Sequence, residues 1–229
     1  MQVLILVNDF QRAKSRLSPL LTAEQRRALA TAMLRDVLDA THTSACFDRI
    51  AVLAGCEQGC RIARENAADS VLDATLAGTT LNDRVRSWLL AAGAAAADPV
   101  LFLHADLPLL RPADLRALVA GHDCNAVTLA TDTARRGTNA LLTRRGLLES
   151  FAWGADSAAR HRDRCHARGV PCHTVYRDGL ARDIDEPAHL ALAAEAARRG
   201  ELGAATSELL LAAGIREPAA GGLAEAATC

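Results

Sequence analysis

Acidic side chains stand at two distant points of the chain where a ligand site could form. An apolar run over residues 101–103 leads to Asp106, and Asp183 and Asp185 follow far downstream. An acid after a buried parallel strand lies where open α/β sheets bind their ligands. It is costly there unless it is paired or holds a cation. The three aspartates are therefore candidate ligands for Mg²⁺, which prefers carboxylate, phosphate and water oxygens.

Each of these acids also has a purely structural interpretation. Asp106 could form a turn or cap before Pro108, and Asp183 or Asp185 could cap a helix that begins near Pro187. The joint occurrence of acids at two strand ends favours the metal site over three separate structural roles.

A basic loop follows the first predicted strand and carries Arg12, Lys14 and Arg16. The chain contains neither GxGxxG nor GxxxxGK[ST], so side chains would have to hold any phosphates. Three cations at the ligand edge of a sheet can neutralise a triphosphate. The alternative is a solvated basic loop. Together with the aspartates, the loop predicts a magnesium-dependent nucleotide site.

Two further polar segments suit a small anionic substrate: residues 137–139, Gly-Thr-Asn, and residues 153–157, Trp-Gly-Ala-Asp-Ser. Backbone N–H groups beside glycine can approach an anion closely, and Ser157 stands where a helix should begin. Arg160 and His161 follow one turn later and could add charge. An ordinary serine cap is the alternative for Ser157. No Ser-His-acid or Cys-His arrangement stands out, which fits attack by a phosphate that is already ionised, with a second pKa of about 6.

The composition limits the classes of protein to be considered. A net charge of −1 over 229 residues argues against a nucleic-acid-binding surface over the whole fold. Residues 1–10 resemble a first strand and not a signal peptide, and no apolar run is long enough to span a bilayer. The seven cysteines match no usual zinc-ligand spacing and indicate reduced thiols. We therefore expect a cytoplasmic protein that binds neither nucleic acid nor membrane.

Strand and helix patterns alternate along the chain. Strands are predicted at 3–7, 50–54, 70–72, 100–103, 126–130, 139–143 and 171–176. Helices are predicted after a capping box at Thr22 and Gln25, and at 81–97, 112–121, 157–168, 187–199 and 201–213. The alternation predicts an α/β fold, with a mostly parallel central sheet and helices on both faces. We expect one nucleotide-binding domain over 1–215 and a disordered tail over 216–229.

At these motifs the chain resembles the CofC/FbiD nucleotidyltransferases over roughly residues 3–192. The matching segments are 12–20, 33–38, Leu81-Asn82, 105–109, 137–141, Gly154 with Ser157 and His161, and 183–187. The resemblance implies a Rossmann-like nucleotidyltransferase fold. It also implies transfer of a guanylyl group from GTP to phospholactate, phosphoenolpyruvate or phosphoglycerate in deazaflavin-coenzyme biosynthesis. A homodimer is compatible with the family.

The same resemblance assigns roles to individual residues. Lys14, Arg16 and Asp106 fall at catalytic positions, and Mg²⁺ falls on Asp106 and on Asp183 or Asp185. The resemblance places Asn82 near the nucleotide, and our expected nucleotide-binding set is Val7, Asn8, Arg12, Lys14, Asn82 and Asp106. It places Thr138, Gly154 and Ser157 at acceptor positions, and we add Arg136 and His161 to the expected acceptor-binding set because of their charge.

The chain departs from the family pattern at three places. Asn8 replaces a usual lysine, Arg135 and Arg136 replace a usual acid or glycine, and Thr80 replaces a usual glycine. The arginine pair would suit a more highly charged acceptor, so a CTP-dependent transfer to phosphonoformate stays open, and the sequence does not decide between GTP and CTP. Asn8 leaves open an inactive nucleotide-binding module. A molybdopterin-type or sugar-phosphate nucleotidyltransferase is less favoured, because the glycine-rich signature is missing.

Overall fold

The computed structural model describes residues 1–91, 98–147 and 150–213, and a seven-stranded sheet forms its centre. The strands are β1 (Gln2–Val7), β2 (Arg49–Ala54), β3 (Asp69–Leu72), β4 (Pro99–His104), β5 (Val127–Thr131), β6 (Thr138–Arg144) and β7 (Cys172–Val175). Their order across the sheet is β3-β2-β1-β4-β6-β5-β7. All seven predicted strands are present, with ends shifted by at most one residue.

One strand of this sheet runs against the others. β6 is antiparallel to both β4 and β5, whereas β1 pairs in parallel with β2 and β4. Leu103 near the end of β4 lies opposite Ala140 near the start of β6. The beginning of β6 therefore meets the carboxyl ends of β1 and β4 at one edge of the sheet. The predicted mostly parallel α/β fold is confirmed.

The helices lie around this sheet. They are α1 (Ala23–Ser44), α2 (Glu57–Glu65), α3 (Leu81–Ala91), α4 (Pro112–Ala120), α5 (Ser157–Ala167), α6 (Asp178–Ala181), α7 (Pro187–Arg198) and α8 (Ala204–Ala212), with 3₁₀ turns at Ser15–Leu17 and Asp73–Thr75. The sequence patterns missed α2 and α6. The end of the predicted 81–97 helix and the predicted tail 216–229 lie outside the described residues. None of the helices within the described ranges has both the length and the apolar character needed to cross a membrane.

Alternating side chains of the central strands enter two separate cores. Val3 and Ile5 of β1 pack on one face with side chains of α1, α2 and α4. Leu4 and Leu6 pack on the other face with side chains of α3 and α5. These side chains are almost completely buried, as expected for a strand covered on both faces. The helices therefore cover both faces, and the sheet edge is left to carry a site.

Helix α1 connects the sheet to the last two helices. It begins at the predicted capping box, in which Gln25 N donates to Thr22 Oγ1 and Thr22 N donates to Gln25 Oε1. Its outer side packs against α7 and α8 in a third apolar cluster. Buried Asp36 accepts hydrogen bonds of 2.9 Å from the backbone N–H groups of Ala205 and Thr206. The carboxylate thus caps the start of α8 and fixes it on α1.

Candidate active site

A cavity of about 550 Å³ lies at the sheet edge where β1 and β4 end and β6 begins. Ten residues predicted to form a site line it: Val7, Asn8, Arg12, Lys14, Asp106, Thr138, Gly154, Ser157, Asp183 and Asp185. Arg16, Asn82, Arg136 and His161 are not among the lining residues. The topology therefore brings most of the candidate residues together, and the roles predicted for them remain predictions.

Asp106, Asp183 and Asp185 form a cluster that we call the acidic trio. One carboxylate oxygen from each lies within 4.8 Å of the other two. Asp106 follows β4, and the other two lie between α6 and α7. Neither Asp183 nor Asp185 caps α7, because Glu186 holds the N-cap position and its side chain makes no capping bond. The arrangement is that of a site for a hard cation.

Lys14 places its ammonium group inside the acidic trio. Its Nζ donates to Asp106 Oδ2 over 2.6 Å and to Asp185 Oδ1 over 2.7 Å. Only 6% of the lysine side chain is exposed. The residue has a left-handed backbone (φ 57°), which directs the chain from the basic loop into the 3₁₀ turn at Ser15–Leu17. Lys14 therefore contacts the predicted metal ligands in this structure.

The charges of the site shift its pKa values in opposite directions. Burial opposes the charged forms of both Lys14 and Asp106, but it is outweighed by Asp106 and Asp185 around Lys14, and by Lys14 and His104 around Asp106. The pKa of Lys14 is therefore raised and the pKa of Asp106 is lowered. Burial and the charges of Asp106 and Asp185 raise the pKa of Asp183 to about 7. The trio can hold a proton near neutral pH, and a metal ion that binds there would displace this proton into the solvent.

A second part of the lining, which we call the β6–α5 wall, consists of Thr138, Gly154 and Ser157. Thr138 is the first residue of β6, and Ser157 is the first residue of α5 after the N-cap Asp156. Gly154 has φ of 113°, a backbone conformation that side chains rarely adopt. Two hydroxyl groups and a helix N-terminus therefore stand together, as suits an anion.

A tight turn before Thr138 holds this wall against the sheet. Asp132 follows β5, and its carboxylate accepts hydrogen bonds of 2.8 Å from the backbone N–H groups of Arg136 and Gly137. A Cβ atom at Gly137 would lie 2.7 Å from Asp132 Oδ2, so a larger residue would displace this carboxylate from its two hydrogen bonds. The Arg136 carbonyl accepts a hydrogen bond from Ala158 N in α5. The β5–β6 loop is thereby fixed to the start of α5.

His161 lies behind the β6–α5 wall and is completely buried. Its Nδ1 is 3.1 Å from Thr138 Oγ1, and its Nε2 accepts a 2.9 Å hydrogen bond from Ala152 N. Burial, followed by the charges of Arg164 and Arg160, lowers the pKa of His161 to about 3. The ring is therefore neutral at physiological pH and contacts two residues of the cavity lining, Thr138 and Trp153.

The side-chain amide of Asn82 is used within the protein. Asn82 Oδ1 accepts a 2.8 Å hydrogen bond from Trp153 N, and its Nδ2 donates to Trp153 O over 3.4 Å. The Trp153 ring packs edge-on against those of His104 and His161, with centroids 5.3 and 5.0 Å away. Asn82 thus fixes the backbone just before Gly154.

The two remaining predicted cations point away from the lining. Arg16 Nη1 lies 3.3 Å from Glu186 Oε1, and the arginine side chain is 71% exposed. Arg136 Nε lies 2.8 Å from Asp156 Oδ1, and its side chain is 70% exposed. Exposed pairs of this kind contribute little to stability and leave both arginines able to move.

Among the residues of the cavity, the sequence patterns missed Asp132, and they marked Asn139 and Trp153 only as members of two polar segments. Asp132 follows a buried strand directly, which is the same signal that indicated Asp106. Asn139 Nδ2 donates to the Leu180 carbonyl over 3.0 Å and so holds the end of α6, just before the acidic trio. A contact between residues so far apart leaves no local pattern.

The comparisons with known proteins agree with this geometry. The family model described as "Guanylyl transferase CofC like" matches residues 1–193. The chain belongs to this family. A phosphoenolpyruvate guanylyltransferase of Sphaerobacter thermophilus is 33% identical over 88% of this chain and 95% of its own length. A 3-phospho-D-glycerate guanylyltransferase of Phenylobacterium zucineum is 37% identical over 91% and 94%.

Solved structures show the same fold as this CofC-like chain. A nucleotidyl transferase of Methanothermobacter has a TM-score of 0.64 at 16% identity and covers 87% of this chain and 99% of its own. Rv0371c of Mycobacterium tuberculosis in complex with manganese has a TM-score of 0.51 at 17% identity, over 82% and 94%. The predicted family, the Rossmann-like fold and the nucleotidyltransferase class are confirmed.

Proposed function

We propose that the chain transfers GMP from GTP to the phosphate group of phosphoenolpyruvate or 3-phosphoglycerate and releases pyrophosphate. The observation that carries this proposal is the single cavity in which the acidic trio, Lys14 and the β6–α5 wall meet. The trio suits a metal-bound triphosphate, and the wall suits a small acid. The activities named for the two relatives support the guanylyl donor and both acids.

A divalent cation, Mg²⁺ or Mn²⁺, fits the acidic trio. The three donors are carboxylate oxygens within 4.8 Å of one another, and the Lys14 ammonium group already sits as a cation between two of them. Rv0371c, which shares the fold, was solved in complex with manganese, and this supports a divalent cation in the proposed reaction. We propose Asp106 and Asp185 as ligands, with Asp183 as the alternative to Asp185. The bound metal would neutralise and orient the triphosphate.

The other residues of the cavity divide between the two substrates. Arg12 and Lys14 supply positive charge for the triphosphate, and the backbone of Val7 and Asn8 lines the nucleotide side. The β6–α5 wall holds the acid through its hydroxyl groups and its backbone N–H groups.

The reaction needs no general base from the protein. The acceptor phosphate has a second pKa of about 6 and is largely ionised near neutral pH. One of its oxygens forms a bond to the α-phosphorus of GTP, while the bond from that phosphorus to the α–β bridging oxygen breaks. Pyrophosphate leaves with the electron pair. Catalysis then consists of holding the two substrates in line and neutralising their charge.

The two alternatives left open by the sequence are not favoured. The pair Arg135 and Arg136 was the reason to consider phosphonoformate, but neither is among the residues that line the cavity, and the Arg136 side chain is exposed. An inactive module is not favoured either, because Lys14 and the acidic trio are assembled beside Asn8. We further propose that residues 1–215 form one domain, since α8 packs on α1 and α7.

A pyrophosphate-release assay tests the proposal. It crosses GTP and CTP with phosphoenolpyruvate, 3-phosphoglycerate, phospholactate and phosphonoformate in the presence of Mg²⁺, and mass spectrometry identifies the product. We expect turnover with GTP and one of the first two acids. Turnover with CTP and phosphonoformate alone would contradict the proposal.

Two aspartate variants make the assay specific to the site. Asp106→Asn should abolish pyrophosphate release while its circular dichroism remains that of the wild type. Asp69→Asn is the matched control, because Asp69 is an exposed aspartate on the edge strand β3, paired only with Arg49. It should keep full activity, and full activity in Asp106→Asn would overturn the metal assignment.

A further inference from the structure

The protonation of the His161 ring is fixed by the backbone that surrounds it. Ala152 N–H can only donate, so the Nε2 atom that receives it must carry a lone pair. The single proton of the neutral ring therefore lies on Nδ1. The pKa of about 3 keeps the ring in this form throughout the neutral range.

This proton determines what the hydroxyl group of Thr138 can do. Nδ1–H of His161 faces Thr138 Oγ1 at 3.1 Å, so the oxygen accepts from the ring. The hydroxyl hydrogen must then point elsewhere, and no protein acceptor for it is found in the described ranges. Because Thr138 lines the cavity, its hydroxyl is available to donate there. A donor of this kind binds an anionic oxygen and disfavours another N–H or O–H group.

The same ring also sets the position of the neighbouring wall segment. Ala152 precedes Trp153 and Gly154, and its N–H is held 2.9 Å from the ring. His161 lies on α5, one helical turn after Ser157. One buried side chain thus ties together β6, the segment before Gly154 and the start of α5, which are the three parts of the wall.

We infer that His161 is a positioning residue for acceptor recognition: through Nδ1–H it turns the Thr138 hydroxyl into a donor for a carboxylate or phosphate oxygen of the acid. The inference rests on the proposed function, since it concerns the acceptor side of the same cavity. His161 does not touch the acid: Nδ1–H acts on the acid through the Thr138 hydroxyl, and Nε2 holds the wall in place through Ala152.

The test is a double-mutant cycle of His161→Gln and Thr138→Val. For each variant, the KM for the acid and the KM for GTP are measured separately. The side-chain oxygen of glutamine can accept the hydrogen bond from Ala152 N in place of Nε2. Glutamine has no donor at the position of Nδ1, so the hydrogen bond to Thr138 is lost. We expect each single variant to raise the acid KM at least tenfold with little change in the GTP KM. In the Thr138→Val background, His161→Gln should have no further effect. If the two substitutions raised the acid KM independently, so that their fold-changes multiplied in the double variant, the inference would be overturned. A change confined to the GTP KM would overturn it as well.

Three further measurements separate this inference from the proposed function. Nitrogen-15 NMR of the substrate-free protein should show His161 with its proton on Nδ1, and this resonance should shift in Thr138→Val. A proton on Nε2 would overturn the inference whatever the substrate is.

Two further variants of α5 complete the test. His161→Asn, which restores a donor at the Nδ1 position, should recover part of the acid affinity that His161→Gln loses. His166→Gln, an exposed histidine on the same helix, should change neither KM. If the wild type turns over no acid at all, the proposed function fails, and the NMR result still decides on the ring.

Discussion

The ammonium group of Lys14 lies 2.6 Å from the carboxylate of Asp106, although 92 residues separate the two in sequence. The pair joins the loop after β1 to the end of β4. It also places a buried positive charge at the centre of three acids. The stability of this part of the protein and its affinity for cations must therefore depend on each other.

Replacing Lys14 with methionine should expose this dependence. The acids would lose their compensating charge, and breaking a buried ion pair costs about 3 kcal/mol at the lower end of its range. Urea unfolding without divalent ions should show this loss, and saturating Mn²⁺ should restore more stability to the variant than to the wild type. Arg16→Met is the control, because that exposed pair with Glu186 contributes at most about 0.5 kcal/mol. Equal losses in both variants would contradict the expectation.

Binding of metal should release a proton from Asp183. Its pKa of about 7 means that the carboxyl group is largely protonated below neutral pH, whereas a cation bound in or beside it favours the ionised form. The affinity for Mn²⁺ should therefore fall as the pH drops below 7, by up to about tenfold per pH unit. Calorimetric titration in buffers of different ionisation enthalpy measures both the affinity and the proton. An affinity that is constant between pH 5.5 and 7 would count against Asp183.

His161 should make the protein sensitive to acid. In the native state its ring stays neutral to about pH 3, whereas in the unfolded chain it gains a proton near its ordinary pKa of 6.5. The unfolded state binds more protons between these values. The stability is complete above pH 6.5 and is lost on acidification by up to about 1.4 kcal/mol per pH unit. The difference in unfolding free energy between wild type and His161→Gln should carry this slope, since His104 is present in both proteins. A constant difference would refute it.

The variant Asn82→Ala distinguishes a structural role of this residue from nucleotide binding. Because Asn82 holds Trp153 beside the β6–α5 wall, its loss should raise the KM for the acid by about tenfold, or ~1.4 kcal/mol. The KM for GTP should hardly change. Asn82→Asp retains the oxygen that accepts from Trp153 N and should have a smaller effect. A rise in the GTP KM alone would instead support the contact predicted from the family resemblance.

Asp36→Ala should destabilise the protein without affecting catalysis. The variant removes both hydrogen bonds at the start of α8 and should cost about 2 kcal/mol of unfolding free energy. Asp36 is not among the residues that line the cavity, so kcat and both KM values should stay at wild-type levels. Asp36→Asn keeps one acceptor oxygen, so its unfolding free energy should lie between those of the wild type and Asp36→Ala. Loss of activity in a variant that remains folded would show that α8 influences the site.

The local sequence pattern was sufficient for most elements of the fold. Continuous apolar runs identified β1, β2 and β4, and the capping box located the start of α1. The patterns failed for α2, whose nine residues are mostly polar, and for α6, which has only four. Strand order could not be derived, because it depends on pairings such as Leu103 with Ala140 between distant segments.

The sequence predicted which residues belong to the site better than it predicted the contacts between them. Strand-end acids and glycine-containing segments identified the acidic trio and the β6–α5 wall as chemical groups. The sequence did not indicate that Lys14 lies between two acids or that His161 and Asn82 are turned towards the protein. Such orientations follow from the packing of several elements at once.

The reversed direction of β6 has a consequence for how substrate preference could evolve. The proposed nucleotide side is built on β1 and β4, whereas the proposed acid side is built on the loop before Thr138 and on the segment that leads to Ser157. These two segments can change in length or charge without moving Asp106. A descendant that uses a new acid would need substitutions only in this half of the sheet edge, provided that Asn139 still holds Leu180. The fold thus allows diversification of the acceptor while the donor chemistry is inherited unchanged.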